Sequence, residues 1–280
     1  MYSTATLNQL VNDVISKPSP VRINNDRLQQ LGQIIVAQKQ TPTIAKRAPF
    51  ESEVLFSVLA NSVNFCYWQD RCDFYPAGAG SSLVWGAANN AMIQPTVDQA
   101  IASFKAEIAQ IPFPLMAERL EYIKELEDTL PALWNQFLDG FVVGKPLPDL
   151  IKLLHLYFPK AYGQDPFCKR SSLMLQILQS ESNFGTQSEL LPIPADYQVP
   201  KVLRALGVLE YDPILAARVD GGVMIPSGSE DEIAIRAFTV FVGQELYRQF
   251  NLDPGVTDRY FWTQRKQFEQ PFHLTPTTNY

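Results

Sequence analysis

The chain has 280 residues, of which 46% are hydrophobic and 19% are charged, and its formal net charge is −6. This composition is typical of a globular protein and excludes wholesale disorder. The acidic balance argues against a general nucleic-acid binder, which needs a surplus of Lys and Arg against phosphate groups. The three cysteines form no Cys-x-x-Cys pair and the two histidines are far apart, which argues against a structural zinc site.

Nothing in the sequence predicts secretion or membrane insertion. The N-terminus lacks a basic segment followed by an apolar core, and no run of about 18 apolar residues occurs. The cysteine usage is typical of a reducing compartment. We therefore expect a cytoplasmic protein.

Apolar residues recur at helical spacing along most of the chain. The predicted helices cover residues 4–16, a segment capped by Asn25 or Asp26, residues 51–68 up to an aromatic end, Trp85–Met92, residues 97–110, 114–139 and 147–158, Asp165–Leu178 and Glu230–Phe250. A small β-hairpin near Phe74 to Trp85 is the one strand signal. We expect an all-α or mostly α fold, built as a single compact domain over residues 1–280, with the helices of residues 1–50 at its periphery.

The helix predicted over residues 114–139 carries interleaved acidic and basic residues, among them Glu118, Arg119 and Lys124. A charge run of this kind predicts a solvated helix face. His155, in the next predicted helix, is expected to be packed or partly exposed rather than a ligand.

The segment 191–213 is typical of an irregular approach followed by two helices. Pro200 suits the first position of a helix, Gly207 can end that helix in the left-handed conformation, and Asp212 before a proline is typical of the next helix start. Asp196 therefore lies just before a helix N-terminus, where unpaired N–H groups and the helix dipole favour its ionised form. It is either a simple helix cap or a functional carboxylate.

Asn64 is a second polar residue of interest, because it precedes the aromatic cluster Phe65-Cys66-Tyr67-Trp68 in an apolar segment. A buried amide is costly unless it has a hydrogen-bonding partner. That partner is either the backbone or a ligand, and the aromatic cluster is either core or part of a binding site.

Several blocks of the sequence, in their order along the chain, resemble the queuosine salvage protein family. They are Asn64–Trp68, Lys169-Arg170, Ala195–Pro200 with Leu203–Leu209, Gly228–Glu230 with Glu232–Arg236, and Asp258–Trp262 with Pro271–Tyr280. The resemblance covers residues 51–280. The chain departs from the family pattern at four places, which are Gln198 in place of Arg, Cys66 in place of Ser, Ala234 in place of Glu, and a segment 184–188 without acidic residues.

The resemblance implies a fold related to the helix-hairpin-helix DNA glycosylase superfamily. It also implies an N-glycosidase that cleaves queuosine 5′-monophosphate and releases the 7-deazaguanine base queuine, for salvage into tRNA modification. Such a bond breaks through an oxocarbenium-like sugar, which a nearby ionised carboxylate stabilises. Asp196 is then the expected catalytic residue.

The family blocks further imply contacts with the base. Asn64 is expected to read an edge of the base, and Tyr67, Trp68 or Tyr197 to stack on its ring. Trp262 is expected in the core rather than against a ligand.

The charged groups of the substrate need partners of opposite sign. Asp165 or Asp258 is expected to face the cationic amine of the cyclopentenyl arm. Lys169, Arg236 and His273 are the expected cations for the 5′-phosphate. Arg236 also fits a surface or interhelix ion pair, and Lys169 also fits a solvated helix position.

The expected partner is thus a small nucleotide, with no metal, organic cofactor, nucleic-acid duplex or membrane. The alternative is a non-catalytic protein that binds a modified nucleotide or base. The sequence leaves open whether a nucleotide or a nucleoside is preferred.

Overall fold

The structure, a computed structural model, describes residues 3–38, 50–69, 80–141, 145–182 and 190–280. The helices in these ranges are α1 (Thr4–Ile15), α2 (Asn25–Ala37), α3 (Phe50–Ser62), α4 (Gly80–Ala91), α5 (Val97–Ile108), α6 (Met116–Gly140), α7 (Leu147–Tyr157), α8 (Lys169–Ser182), α9 (Gln198–Ala205), α10 (Pro213–Asp220), α11 (Glu230–Phe250) and α12 (Pro254–Gln264), with a 3₁₀ turn (Arg265–Gln267) after α12. The strands are β1 (Val21–Ile23) and β2 (Leu209–Tyr211). The predicted mostly α fold is confirmed.

The two strands lie elsewhere than the predicted hairpin. β1 pairs antiparallel with β2, with Val21 opposite Tyr211 and Ile23 opposite Leu209. Residues 80–85 of the predicted hairpin begin α4, whereas residues 70–79 lie outside the described part of the chain. The hairpin prediction is therefore wrong for residues 80–85, because the helix of small residues begins five residues earlier than the sequence indicates.

The chain divides into two compact units. The first unit contains Thr43–Glu189 together with the two chain ends, Met1–Ser3 and Thr277–Tyr280. The second unit contains Thr4–Pro42 and Leu190–Pro276. The single domain expected for residues 1–280 stays a prediction, and so does the relation to the DNA glycosylase superfamily. No helix in the described ranges is long and apolar enough to cross a membrane.

The core of the second unit is built from helices of both its N-terminal and its C-terminal segment. Leu28 and Leu31 of α2 are buried in the same cluster as Leu203 of α9 and Val242 of α11. α1 also packs against α11. These N-terminal helices thus contribute to the core of the second unit, and the peripheral position expected for residues 1–50 stays a prediction. An amphipathic stripe identifies a buried face without identifying what covers it.

Helix ends in the second unit follow the predicted turn chemistry. Gly207 has φ +72° just after α9, as a left-handed helix end requires. The carboxylate of Asp212 accepts the N–H of Leu215 at 2.7 Å and caps α10. At α2 the cap is Asn24, which accepts the N–H of Arg27 at 3.1 Å and lies one or two residues before the predicted positions.

Arg119 of α6 is fully buried in the first unit. The prediction of a solvated helix face is therefore wrong for this residue. The guanidinium donates hydrogen bonds to the backbone oxygens of Val63, Phe65 and Cys66, the last at 3.0 Å. It also lies 4.2 Å from the centre of the Phe65 ring. Arg119 therefore fastens the segment that follows α3, whereas Lys124 of the same helix is exposed.

Gly243 of α11 allows the segment before Asp196 to approach the helix closely. A Cβ built on Gly243 would lie 1.7 Å from Cγ2 of Ile193. We expect Gly243→Ala to lower the free energy of unfolding by about 1–3 kcal/mol, which is the usual cost of overpacking.

Gly86→Ala in α4 is the matched control for this change, because nothing lies within 4 Å of a Cβ built there. Alanine is the better helix former, so we expect a gain of about 0.5–1 kcal/mol. Denaturant unfolding of the two variants and the wild type measures both effects. A Gly243→Ala protein as stable as the wild type would contradict the close approach.

Candidate active site

Asp196 lies at the N-terminus of α9, in the second unit. Its Oδ1 accepts the N–H of Gln198 at 2.7 Å and the N–H of Val199 at 3.0 Å, so the predicted capping is present. The helix begins at Gln198, and Pro200 is therefore its third residue rather than its first. Pro200 still falls in the first turn, where an N–H has no intrahelical partner. The side chain of Asp196 is partly exposed, so the capping carboxylate is also accessible to solvent.

Arg236 of α11 holds the backbone directly before Asp196. Its Nε donates to the oxygen of Ala195 at 2.9 Å, and its Nη1 lies 3.5 Å from Oε1 of Glu232. Both charged side chains are almost completely buried. Oε2 of Glu232 accepts the N–H of Gly228 at 3.1 Å, which ties the pair to the loop before the helix. Arg236 therefore forms an ion pair as one alternative predicted, but the pair is buried and lies within one helix.

Tyr197 and His273 are both buried in the second unit. The ring of Tyr197 packs against Phe272, with ring centres 4.8 Å apart. Burial, helped by the positive charge of Arg236, lowers the pKa of His273 to about 3. The imidazole is therefore neutral near pH 7, whereas the resemblance implied a cation at this position.

We expect His273→Gln to weaken the loss of stability at acidic pH. An unfolded histidine has a pKa of 6.5, and the folded His273 has a pKa of about 3. Between these values the unfolded chain binds more protons, so the contribution is complete above about pH 6.5 and is lost as the pH falls toward about 3. Melting temperatures from about pH 7 to about pH 4 measure the difference. Parallel curves for variant and wild type would contradict a neutral His273.

Asp258 and Arg265 bring two further charges to this unit. Asp258 is a partly exposed residue of α12, and Arg265 opens the 3₁₀ turn that follows. Burial lowers the pKa of Arg265, and the charges of Asp196 and Asp258 act in the opposite direction. The guanidinium is therefore within electrostatic reach of both carboxylates.

The sequence prediction missed Arg265. Its guanidinium carbon lies 3.3 Å from the centre of the Trp262 ring, and its Nη1 donates to the backbone oxygen of Trp262. The spacing of three residues after a tryptophan could have indicated the stack, because residues at i and i+3 are neighbours on a helix. Trp262 itself is 42% exposed, so its expected place in the core is wrong.

In the first unit, Asn64, Asp165 and Lys169 are buried and linked by hydrogen bonds. The two oxygens of Asp165 accept the N–H of Phe167 at 3.1 Å and the N–H of Lys169 at 2.8 Å, so this carboxylate caps α8. Nζ of Lys169 donates to the backbone oxygen of Asn64 at 3.0 Å. The Asn64 amide donates to Oδ1 of Asn61 at 3.2 Å. Lys169 is thus not the solvated residue that one alternative predicted.

Tyr67 and Trp68 are also buried in the first unit. The Tyr67 hydroxyl donates to the oxygen of Val63 at 3.2 Å, and its ring lies 5.4 Å from that of Phe113. Burial raises the pKa of Tyr67 well above its usual range, while the charge of Arg119 opposes this shift. These contacts are those of a packed core residue, which was one of the alternatives for the aromatic cluster.

The structure therefore brings the predicted residues together in two groups, one in each unit. The first unit holds Asn64, Tyr67, Trp68, Asp165 and Lys169, and the second holds Asp196, Tyr197, Arg236, Asp258 and His273. Within the described ranges, no three His, Cys, Asp or Glu side chains are grouped as metal ligands would be. The catalytic and binding roles of all ten residues stay predictions.

Gln198, where the chain departs from the family pattern, is only 3% exposed. Its side-chain oxygen and nitrogen have no hydrogen-bond partner in the described part of the chain. An unpaired buried polar group costs about 1–3 kcal/mol, so this amide does not stabilise the fold. A local conflict of this kind is expected near functional sites.

The fold and this group of residues define a mostly helical protein with an accessible, positioned carboxylate, which fits the chemistry of a hydrolase. Residues 179–279 match the family model of the queuosine salvage protein. The chain is similar to three relatives named queuosine 5′-phosphate N-glycosylase/hydrolase. It is 27% identical to that of Sphaerobacter thermophilus in an alignment of 309 positions, gaps included, which covers 95% of each chain.

Two further relatives have the same name. The protein of Dictyostelium discoideum is 28% identical in an alignment of 216 positions, gaps included, which covers 70% of this chain and 66% of that one. The protein of Mus musculus is 24% identical in an alignment of 283 positions, gaps included, which covers 82% of each chain. The predicted resemblance to the queuosine salvage family is confirmed.

Proposed function

We propose that this protein hydrolyses the N-glycosidic bond of queuosine 5′-monophosphate and releases queuine. The activity for which the similar proteins are named supports this reaction. The partly exposed carboxylate of Asp196, fixed at the N-terminus of α9, is the observation that carries the proposal.

The carboxylate suits the charge that develops in this reaction. When the C1′–N bond breaks, its electron pair leaves with the base, and positive charge develops on C1′ and the ring oxygen of the sugar. An ionised Asp196 stabilises that cation and accepts a hydrogen bond from the attacking water. Water adds its hydroxyl to C1′ and its remaining proton goes to the base nitrogen, which gives ribose 5-phosphate and queuine.

Hydrogen bonds hold the carboxylate of Asp196 and the backbone before it, and this supports a catalytic position. Arg236 fixes the oxygen of Ala195, and two N–H groups of α9 fix one oxygen of the carboxylate. Stabilisation of a transition state requires groups that are already oriented when charge develops. The second oxygen is then the one that serves the substrate.

Asp258 is the proposed partner for the cationic amine of the cyclopentenyl arm. It is partly exposed, whereas the other predicted carboxylate, Asp165, is buried and accepts a backbone N–H with each of its two oxygens. A carboxylate already engaged by two backbone N–H groups is a weaker choice for a ligand. The proposal also keeps the expected cytoplasmic location and the expected preference for a small nucleotide over a nucleic-acid duplex.

The test is incubation of the purified protein with queuosine 5′-monophosphate, queuosine and GMP, followed by chromatography with mass detection. We expect queuine from the queuosine compounds and no guanine from GMP. Binding of queuosine 5′-monophosphate without release of queuine would overturn the proposal in favour of a non-catalytic binding protein.

A further inference from the structure

The three cations that the sequence offered for the 5′-phosphate are engaged inside the protein or neutral. Nζ of Lys169 donates to a backbone oxygen in a buried position of the first unit. Arg236 is buried with Glu232 and donates to the backbone. The lowered pKa of His273 leaves its imidazole uncharged. A phosphate bound near Asp196 needs a cation that solvent can reach.

Arg265 meets this requirement. It is partly exposed, and in the described part of the chain its guanidinium stacks on Trp262 and donates to one backbone oxygen. A guanidinium has five N–H donors, so this arrangement leaves donors for a ligand. The indole holds the guanidinium plane in one orientation without neutralising its charge.

Two lysines lie close to Arg265 in the fold. Nζ of Lys201 donates to the backbone oxygen of Arg265 at 3.1 Å, and Lys266 is the next residue of the same turn. Lys201 belongs to α9, the helix that Asp196 caps, and α9 packs against both α12 and the turn. Arg265 is therefore accompanied by two further positive charges, one from α9 and one from its own turn, and these favour an anion bound at its guanidinium.

We infer that Arg265, assisted by Lys201 and Lys266, binds the 5′-phosphate of the substrate. The planar fork of a guanidinium matches two phosphate oxygens, and an ammonium group adds a point charge. This inference rests on the proposed function, because it names the part of the protein that distinguishes a nucleotide from a nucleoside.

The test compares Arg265→Gln with the wild type on queuosine 5′-monophosphate and on queuosine. A charged hydrogen bond contributes about 1.5–3 kcal/mol, so we expect KM for the nucleotide to rise about 10- to 100-fold. We expect kcat for the nucleotide and all constants for the nucleoside to stay near wild type. Calorimetric titration with ribose 5-phosphate should show the same loss of affinity.

Arg259→Gln is the matched control, since it removes the same charge from an exposed position of α12. It should leave all these constants unchanged. Arg265→Lys keeps the charge without the fork and should recover part of the affinity. Melting temperatures of the variants show that each is folded.

The outcomes separate this inference from the proposed function. Equal losses on nucleotide and nucleoside in Arg265→Gln would show that Arg265 acts through Asp196 and would overturn the phosphate site. If the wild type releases no queuine but binds ribose 5-phosphate, and Arg265→Gln does not, the phosphate site stands and the hydrolase proposal fails. A wild type that does not bind ribose 5-phosphate would overturn the phosphate site.

Discussion

Asp196→Asn is expected to reduce queuine release from queuosine 5′-monophosphate by about 10²- to 10⁴-fold, the range that a positioned acid or base contributes. The substitution keeps the size of the side chain and an oxygen that can accept the N–H groups of Gln198 and Val199. Asparagine is also a favourable helix cap, so the fold should be retained. The negative charge is what the variant loses. Single-turnover measurement of free queuine, with the melting temperature alongside, tests this expectation.

Asp212→Asn provides a matched control in the same unit. Asp212 caps α10 through the N–H of Leu215 and makes the same kind of contact as Asp196. Both variants should therefore show the same small change in stability, and Asp212→Asn should keep its activity. Undiminished hydrolysis by Asp196→Asn would remove this carboxylate from the mechanism.

Arg236→Met is expected to lower the free energy of unfolding by about 3–5 kcal/mol, because it leaves the buried carboxylate of Glu232 without its positively charged partner. It also removes the hydrogen bond to Ala195, so Asp196 loses part of its support and activity should fall too. Changing Glu232 to Leu in the same protein should restore part of the stability, since a buried ion pair replaced by apolar residues is often tolerated. Urea unfolding of the single and double variants measures these differences.

The same helix offers a control for the ion pair. Arg248 of α11 pairs with Glu245 at the surface, where the Arg248 side chain is 68% exposed. An exposed ion pair is screened by solvent and contributes little to stability, so Arg248→Met should be nearly neutral. If Arg236→Met proved as mild as Arg248→Met, the buried pair would have no structural importance.

Features set by neighbouring residues could be predicted from the sequence. The left-handed Gly207, the cap Asp212 and the bounds of the helix Glu230–Phe250 agree with the structure. Each depends on contacts within about one helical turn, which a local pattern records. The capping position of Asp196 was predicted for the same reason, although its helix begins two residues earlier than expected.

Features set by distant residues could not be predicted in this way. Arg119 lies in a run of charged residues, and its burial depends on backbone oxygens that follow α3. β1 pairs with β2, which lies far along the chain, so no hairpin pattern in the sequence indicates this pair of strands. The electrostatic interaction of Arg265 with Asp196 and Asp258 depends on the packing of α12 and the turn against α9. The spacing of residues along the sequence does not predict contacts between such distant segments.

The second unit consists of two segments that lie far apart in the sequence, so its helices are synthesised at different times. α1 and α2 are made before all of Thr43–Glu189, and their partner α11 is made after it. At the usual rate of translation, the chain from the end of α2 to the end of α11 takes about ten to forty seconds to make. During that time Leu28 and Leu31 have no core to join. The nascent chain therefore exposes an apolar helix face until α11 has been made, and exposed apolar surface of this kind is what chaperones protect during synthesis.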